Sequence, residues 1–118
     1  MLTRYRNQAP FETKDGSEIR ELMHPAVHGN RRQSLAEAIV YPGQTTALHW
    51  HRNSEELYHV TAGEGLMTLD EEQFPITVGD TIAIAPRRAH CVHNSGSEPL
   101  VILCCCSPAY AHEDTELL

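Results

Sequence analysis

Residues 43–63 read Gly43-QTTAL-His49-Trp50-His51-RNSE-Glu56-LYHVTA-Gly63, and this stretch decides the fold. His49 and His51 are one residue apart. On a strand, side chains alternate with period two, so both imidazoles project from one face and Trp50 from the other. Glu56 then opens a run, EELYHVT, in which Glu56, Tyr58 and Val60 share a face while Glu55, Leu57 and His59 share the opposite one. The apolar Val60 marks the Glu56 face as interior. An isolated interior carboxylate is costly unless it is paired or coordinated. Taken singly, each histidine reads as an ordinary surface or core residue. Their joint spacing points to a shared ligand.

Outward from this stretch the chain keeps the same habit of strand, turn, strand. Ser34 to Tyr41 alternates, with Ala36, Ala38 and Val40 on one face. Pro42-Gly43 is a turn, and Gly63-Glu64-Gly65 carries a hairpin signal before Leu66 to Leu69. Pro75 inside Gln73 to Val78 marks an edge strand or a bulge. Gly79-Asp80 leads into Thr81 to Ala85, and His90 to Asn94 and Leu100 to Cys106 are further strands. His90 shares its face with Val92 and Asn94. Before Ser34 the spacing predicts a loosely structured lead containing a short strand at Glu18–Met23, stopped by His24-Pro25. After Pro108 the signals are weak. No stretch has a sustained helical period, so an all-β sandwich or barrel with little helix is expected. One domain is expected over the 118 residues: a lead at 1–33, a barrel at 34–107 and a tail at 108–118.

Composition narrows the function. A formal net charge of -7 argues against a nucleic-acid partner, whose phosphates need a basic surface. No segment approaches the ~18 apolar residues of a membrane span, and the first residues lack the apolar core of a secretory signal. Three of the four cysteines, Cys104, Cys105 and Cys106, are consecutive. A disulfide framework would spread them apart, so they read as reduced, mostly core-packing thiols in a cytoplasmic protein.

The histidine and glycine spacing resembles that of the cupin family. The first cupin motif is matched at every landmark from Gly43 to Gly63. The second is matched at Gly79, His90 and Asn94 in Gly79-DTIAI-Ala85-Pro86-Arg87-RA-His90-CVH-Asn94. It departs at Ala85 and Arg87, where the family has proline and glycine, which bears on loop shape. The resemblance implies a jelly-roll β-barrel with one divalent transition metal (Mn, Fe, Ni, Co, Cu or Zn) held by His49, His51, Glu56 and His90. About two coordination positions would stay open for a ligand on a six-coordinate ion. Tyr58, on the Glu56 face, is a candidate catalytic hydroxyl. Arg20 and Gln33 are candidates for the mouth, and His59 and His93 are expected to face outward.

Leu35, Ile39, Tyr41, Trp50 and Leu57 are also expected to point outward. So much apolar surface implies a partner, and a homodimer is expected. The function expected is a metal-dependent enzyme on a small organic substrate, either an oxygenase or a sugar or small-acid isomerase, epimerase or lyase. The alternative is a cupin that binds a small ligand without chemistry.

Overall fold

The computed structural model describes residues 1–118. Its strands are β1 (Phe11–Glu12), β2 (Glu18–Met23), β3 (Ser34–Val40), β4 (His49–His51), β5 (Glu55–Ala62), β6 (Glu64–Leu69), β7 (Glu72–Thr77), β8 (Thr81–Ile84), β9 (His90–His93), β10 (Leu100–Ser107) and β11 (Thr115–Leu117). They form two antiparallel sheets, ordered β1-β2-β3-β10-β5-β8 and β11-β4-β9-β6-β7. The all-β jelly roll expected from the sequence is what forms. The one α-helix is a single turn, Pro25–His28, capped by His24, and no helix is long and apolar enough to cross a membrane.

Alternating burial is the cause of the layering. Along β5, Glu56, Tyr58 and Val60 are buried, while Glu55, Leu57, His59 and Thr61 are exposed. Along β10, Leu100, Ile102, Cys104 and Cys106 turn inward. These two strands join Ala38, Val40, Met67, Ile76, Ile82, Ile84 and Val92 in one core between the sheets. Each of the valine, leucine, isoleucine and methionine side chains among them contributes about 1.5–3 kcal/mol on burial. Pro75 lies on β7, the last strand of its sheet, as an edge position requires.

Two expectations need correction. Gly63-Glu64-Gly65 is not a hairpin, because β5 and β6 belong to different sheets. Gly63 has φ +81 and carries the chain around the corner against Pro99 and Leu100, an approach so close that a Cβ there would lie 2.5 Å from the Pro99 carbonyl oxygen. Arg20 does not enter the barrel mouth. It stacks on the Tyr5 ring at 4.2 Å and donates to the Tyr5 and Gln8 carbonyls. Its neighbours Ile19 and Glu21 take the inner face instead.

Both ends of the chain are built into the sheets. β1 and β2 extend the first sheet beyond β3, and β11 edges the second by pairing with β4, Thr115 opposite His51. Arg87, where the family has glycine, adopts the left-handed φ of +62 that glycine would take.

Candidate metal centre

Three strands deliver four side chains to one point. β4 points His49 and His51 inward, β9 sets His90 directly across from His49, and β5 supplies Glu56. All four are buried, His90 completely. One ligand atom from each lies within 4.8 Å of the others. Ring centroids are 4.2 Å apart for His49 and His90 and 5.2 Å apart for His49 and His51. The structure also separates Glu56, 5% exposed, from Glu55 on the outer face.

Hydrogen bonds fix which nitrogen faces the centre. His49 Nδ1 is 2.8 Å from the Ala47 carbonyl and His90 Nδ1 is 2.9 Å from the Arg88 carbonyl. A carbonyl only accepts, so each Nδ1 carries the proton. His51 Nδ1 is 2.9 Å from Thr115 Oγ1, whose own hydrogen goes to the Ala111 carbonyl, so His51 Nδ1 is again the donor. All three Nε2 atoms are thereby turned to the interior.

There they meet a carboxylate. Glu56 Oε1 is 3.1 Å from His51 Nε2 and 3.4 Å from His90 Nε2, and His90 Nε2 is buried without a hydrogen-bond partner. Neutral imidazoles with protonated Nδ1 would aim lone pairs at that oxygen. Such an arrangement needs a shared proton or a cation at its centre. Three imidazoles and one carboxylate are a suitable donor set for a first-row divalent metal. Burial alone would raise the Glu56 carboxyl, but the His51 and His90 imidazoles outweigh it and hold it at about 2. Burial, with His90 beside it, lowers His49 and favours its neutral form. Glu56 is thus ionised and His49 favours neutrality, the states that metal coordination requires.

A pocket of about 570 Å³, a volume that takes in space open to solvent, adjoins the centre. Tyr58 lines it, its ring centroid 5.8 Å from His90. Burial foremost, and then the Glu56 charge, raise Tyr58 well above the ordinary phenol range. Its hydroxyl therefore stays neutral, a hydrogen-bond donor rather than a phenolate base. Gln33 stays outside this pocket, its Oε1 facing Cys105 Sγ on the outer surface. His59 and His93 also face away, bound to Thr81 and Thr45. Cys104 and Cys106, read as plain core thiols, line the pocket, and Cys106 Sγ donates to Glu56 Oε2 at 3.1 Å. Burial holds both as thiols.

The sequence reading missed the contribution of the two ends. Asp15, Ser17, Ile19 and Glu21 from the lead, and Tyr110 and Thr115 from the tail, also line the pocket. Asp114 clasps the loop between His51 and Glu56, accepting from the backbone amides of Asn53 and Ser54 and from the Asn53 side chain. The only available signal was the period-two run Ser17, Ile19, Glu21.

Comparison with known proteins agrees with this geometry. A family model described as a cupin domain matches residues 36–106. An uncharacterized protein of Methanocaldococcus jannaschii is 54% identical over 116 residues, covering 98% of this chain and 93% of that one. Oxalate decarboxylase from Bacillus subtilis superposes with a TM-score of 0.82 at 27% identity, over 98% of this chain but only 31% of the enzyme. A predicted oxalate decarboxylase from Thermotoga maritima gives a TM-score of 0.80 at 23% identity, over 92% of this chain and 99% of that one, a likeness of fold alone.

Proposed function

This chain belongs to the cupin family, and on that premise we propose that it is a metal-dependent enzyme acting on a small organic molecule. His49, His51, Glu56 and His90 would hold one divalent transition metal from the series Mn, Fe, Ni, Co, Cu and Zn. The observation that carries this reading is the convergence of three Nε2 atoms on an ionised, buried carboxylate, with His90 Nε2 left without a partner. When bound, the metal supplies a Lewis acid with positions open to substrate, suited to oxygenase, isomerase or lyase chemistry.

The protein's own groups do the rest. The four candidate ligands are themselves buried in the barrel wall. Tyr58 presents a neutral hydroxyl that can donate a hydrogen bond to a substrate atom. Asp15, with Oδ2 4.0 Å from His49 Nε2, is a carboxylate beside the centre that can receive a proton. The likeness to oxalate decarboxylase supports a small organic substrate and does not carry oxalate itself to this chain, which spans about a third of that enzyme.

Metal analysis of protein purified without added metal tests the reading. About one ion per chain is expected, with loss of it in each of His49→Ala, His51→Ala and His90→Ala. Unchanged metal content in all three would overturn the site. Oxygen uptake by an iron- or copper-loaded form would favour the oxygenase branch.

The same reading includes a cytoplasmic location, supported by four free thiols, and a homodimer. Leu35 and Leu57, 38% and 42% exposed, flank Cys105 on the outer face of the first sheet and favour a second copy there. Trp50 lies on β4 of the second sheet, half-buried, with its indole donating to Glu116 of β11. A monomeric sedimentation value at micromolar concentration would refute the dimer.

A further inference from the structure

The pocket beside the metal centre carries side-chain charge of one sign. Three carboxyl groups, Asp15, Glu21 and Glu56, line it, and no lysine or arginine does. Two of its acceptors are open. Asp15 Oδ1 takes both the backbone amide of Ser17 at 2.9 Å and its hydroxyl at 2.6 Å, which leaves Oδ2 turned toward His49 without a hydrogen bond. Glu21 Oε1 is buried with no partner, like His90 Nε2. A buried acceptor without a donor, as at Glu21 Oε1, is costly, and a ligand that brings donors relieves it while also reaching the accessible Asp15 Oδ2.

The strand register sets Glu21 at the wall opposite Tyr58, while Asp15 lies beside His49 at the centre. Across the inner face of the first sheet, Glu21 pairs with Ala36, Ala36 with Cys104, and Cys104 with Tyr58. That row spans three strand spacings, about 14 Å. The small Ala36 and Cys104 in its middle open the hollow, with Glu21 at one end and Tyr58, beside His90, at the other.

We propose that this pocket selects a small molecule bearing hydroxyl or amine donors and no net negative charge, with one donor bound by Asp15 beside the metal and another by Glu21 at the far wall. The proposal rests on the metal reading above and names its substrate class. Glu56 and Asp15 together match the two charges of a divalent ion, so no positive charge remains for a dianion. Glu21 is positive in neither protonation state. A dicarboxylate would add acceptors and negative charge to a partly desolvated site that already has both in excess.

Two five-carbon probes separate the classes: aminopentanol, a cation with a hydroxyl at its other end, and glutarate, a dianion of the same length. Calorimetric titration of metal-loaded and metal-free protein is expected to show aminopentanol binding at least roughly tenfold tighter than glutarate. Glu21→Gln alone, and Asp15→Asn, which keeps an oxygen for Ser17, should each narrow that ratio. Glutarate binding as tightly as aminopentanol, no response to aminopentanol, or a ratio unmoved in folded variants would overturn the proposal. Metal content measured on the same samples reports failure of the metal reading separately.

Discussion

Thr115→Val should weaken metal binding far more than it weakens the fold. Threonine and valine have nearly the same shape, so packing at this buried position is kept and only the hydroxyl is lost. That hydroxyl accepts from His51 Nδ1 at 2.9 Å and donates to the Ala111 carbonyl at 3.0 Å. The carbonyl keeps a partner, the Asp114 amide at 3.1 Å. The loss therefore falls on His51. Without its acceptor, Nδ1–H is an unsatisfied buried donor costing about 1–3 kcal/mol. The metal-free protein escapes that cost by moving the proton to Nε2, which sits 3.1 Å from Glu56 Oε1. The metal-bound protein cannot, because the ion needs the Nε2 lone pair. The whole cost then appears as affinity, a loss of about 10–100-fold. Competition for the metal against a chromophoric chelator measures it, alongside urea unfolding of the metal-free protein. Thr115→Ser keeps the acceptor and should stay within about threefold of wild type. A Val variant within about twofold of wild type, or a Ser variant as damaged as Val, would refute the tautomer assignment.

Asp114→Ala should destabilise the protein by about 1–3 kcal/mol at neutral pH, since three donors of the Asn53–Ser54 segment lose their acceptor. Burial pushes the Asp114 carboxyl up, and those donors outweigh it, so its folded pKa is lowered. Its stabilisation is therefore complete above the unfolded value of ~3.9 and fades as pH falls toward the lowered folded value. Urea unfolding of wild type and variant across that window should show the difference shrinking, and a difference constant with pH would contradict the assignment. Gly63→Ala should cost about 2–5 kcal/mol, combining a left-handed φ of +81 with a Cβ placed 2.5 Å from the Pro99 oxygen. Gly79→Ala, with φ +92 but open space around it, should cost only about 1–2 kcal/mol. Equal urea midpoints for the two variants would remove the steric part of the reasoning.

The parts of the molecule that were legible in the sequence share a physical cause. In β5 every outward residue is exposed and every inward one but Ala62 is buried, so period two is written into residue type. Glu56 lies on this strand, and the three histidines lie on β4 and β9, whose burial alternates in the same way. In β2, by contrast, all six residues from Glu18 to Met23 are half-buried, and residue type does not report the face. The pattern therefore leaves Arg20 a candidate for the mouth, whereas its neighbours Ile19 and Glu21 are the ones that line the pocket. Thr115 carried no local signal at all. Its role exists only because β11 pairs with β4 and puts it opposite His51, a contact 64 residues apart in the chain.

The four candidate ligands all lie within residues 36–106, the segment matched by the family model. Their spacing is constrained by the need to bring three nitrogens and one oxygen within 4.8 Å. The groups that face a substrate across the hollow come largely from outside that segment: Asp15 and Glu21 from the lead, Tyr110 from the tail. No coordination geometry restricts them, so they can change charge and size while the metal site is preserved. Membership of the family therefore supports the metal, whereas the two carboxyl groups of the lead decide which molecule reaches it. Replacing Asp15 and Glu21 should change ligand preference and leave metal content intact. Replacing His49 or His90 should do the reverse, removing the metal while the charge of the far wall persists.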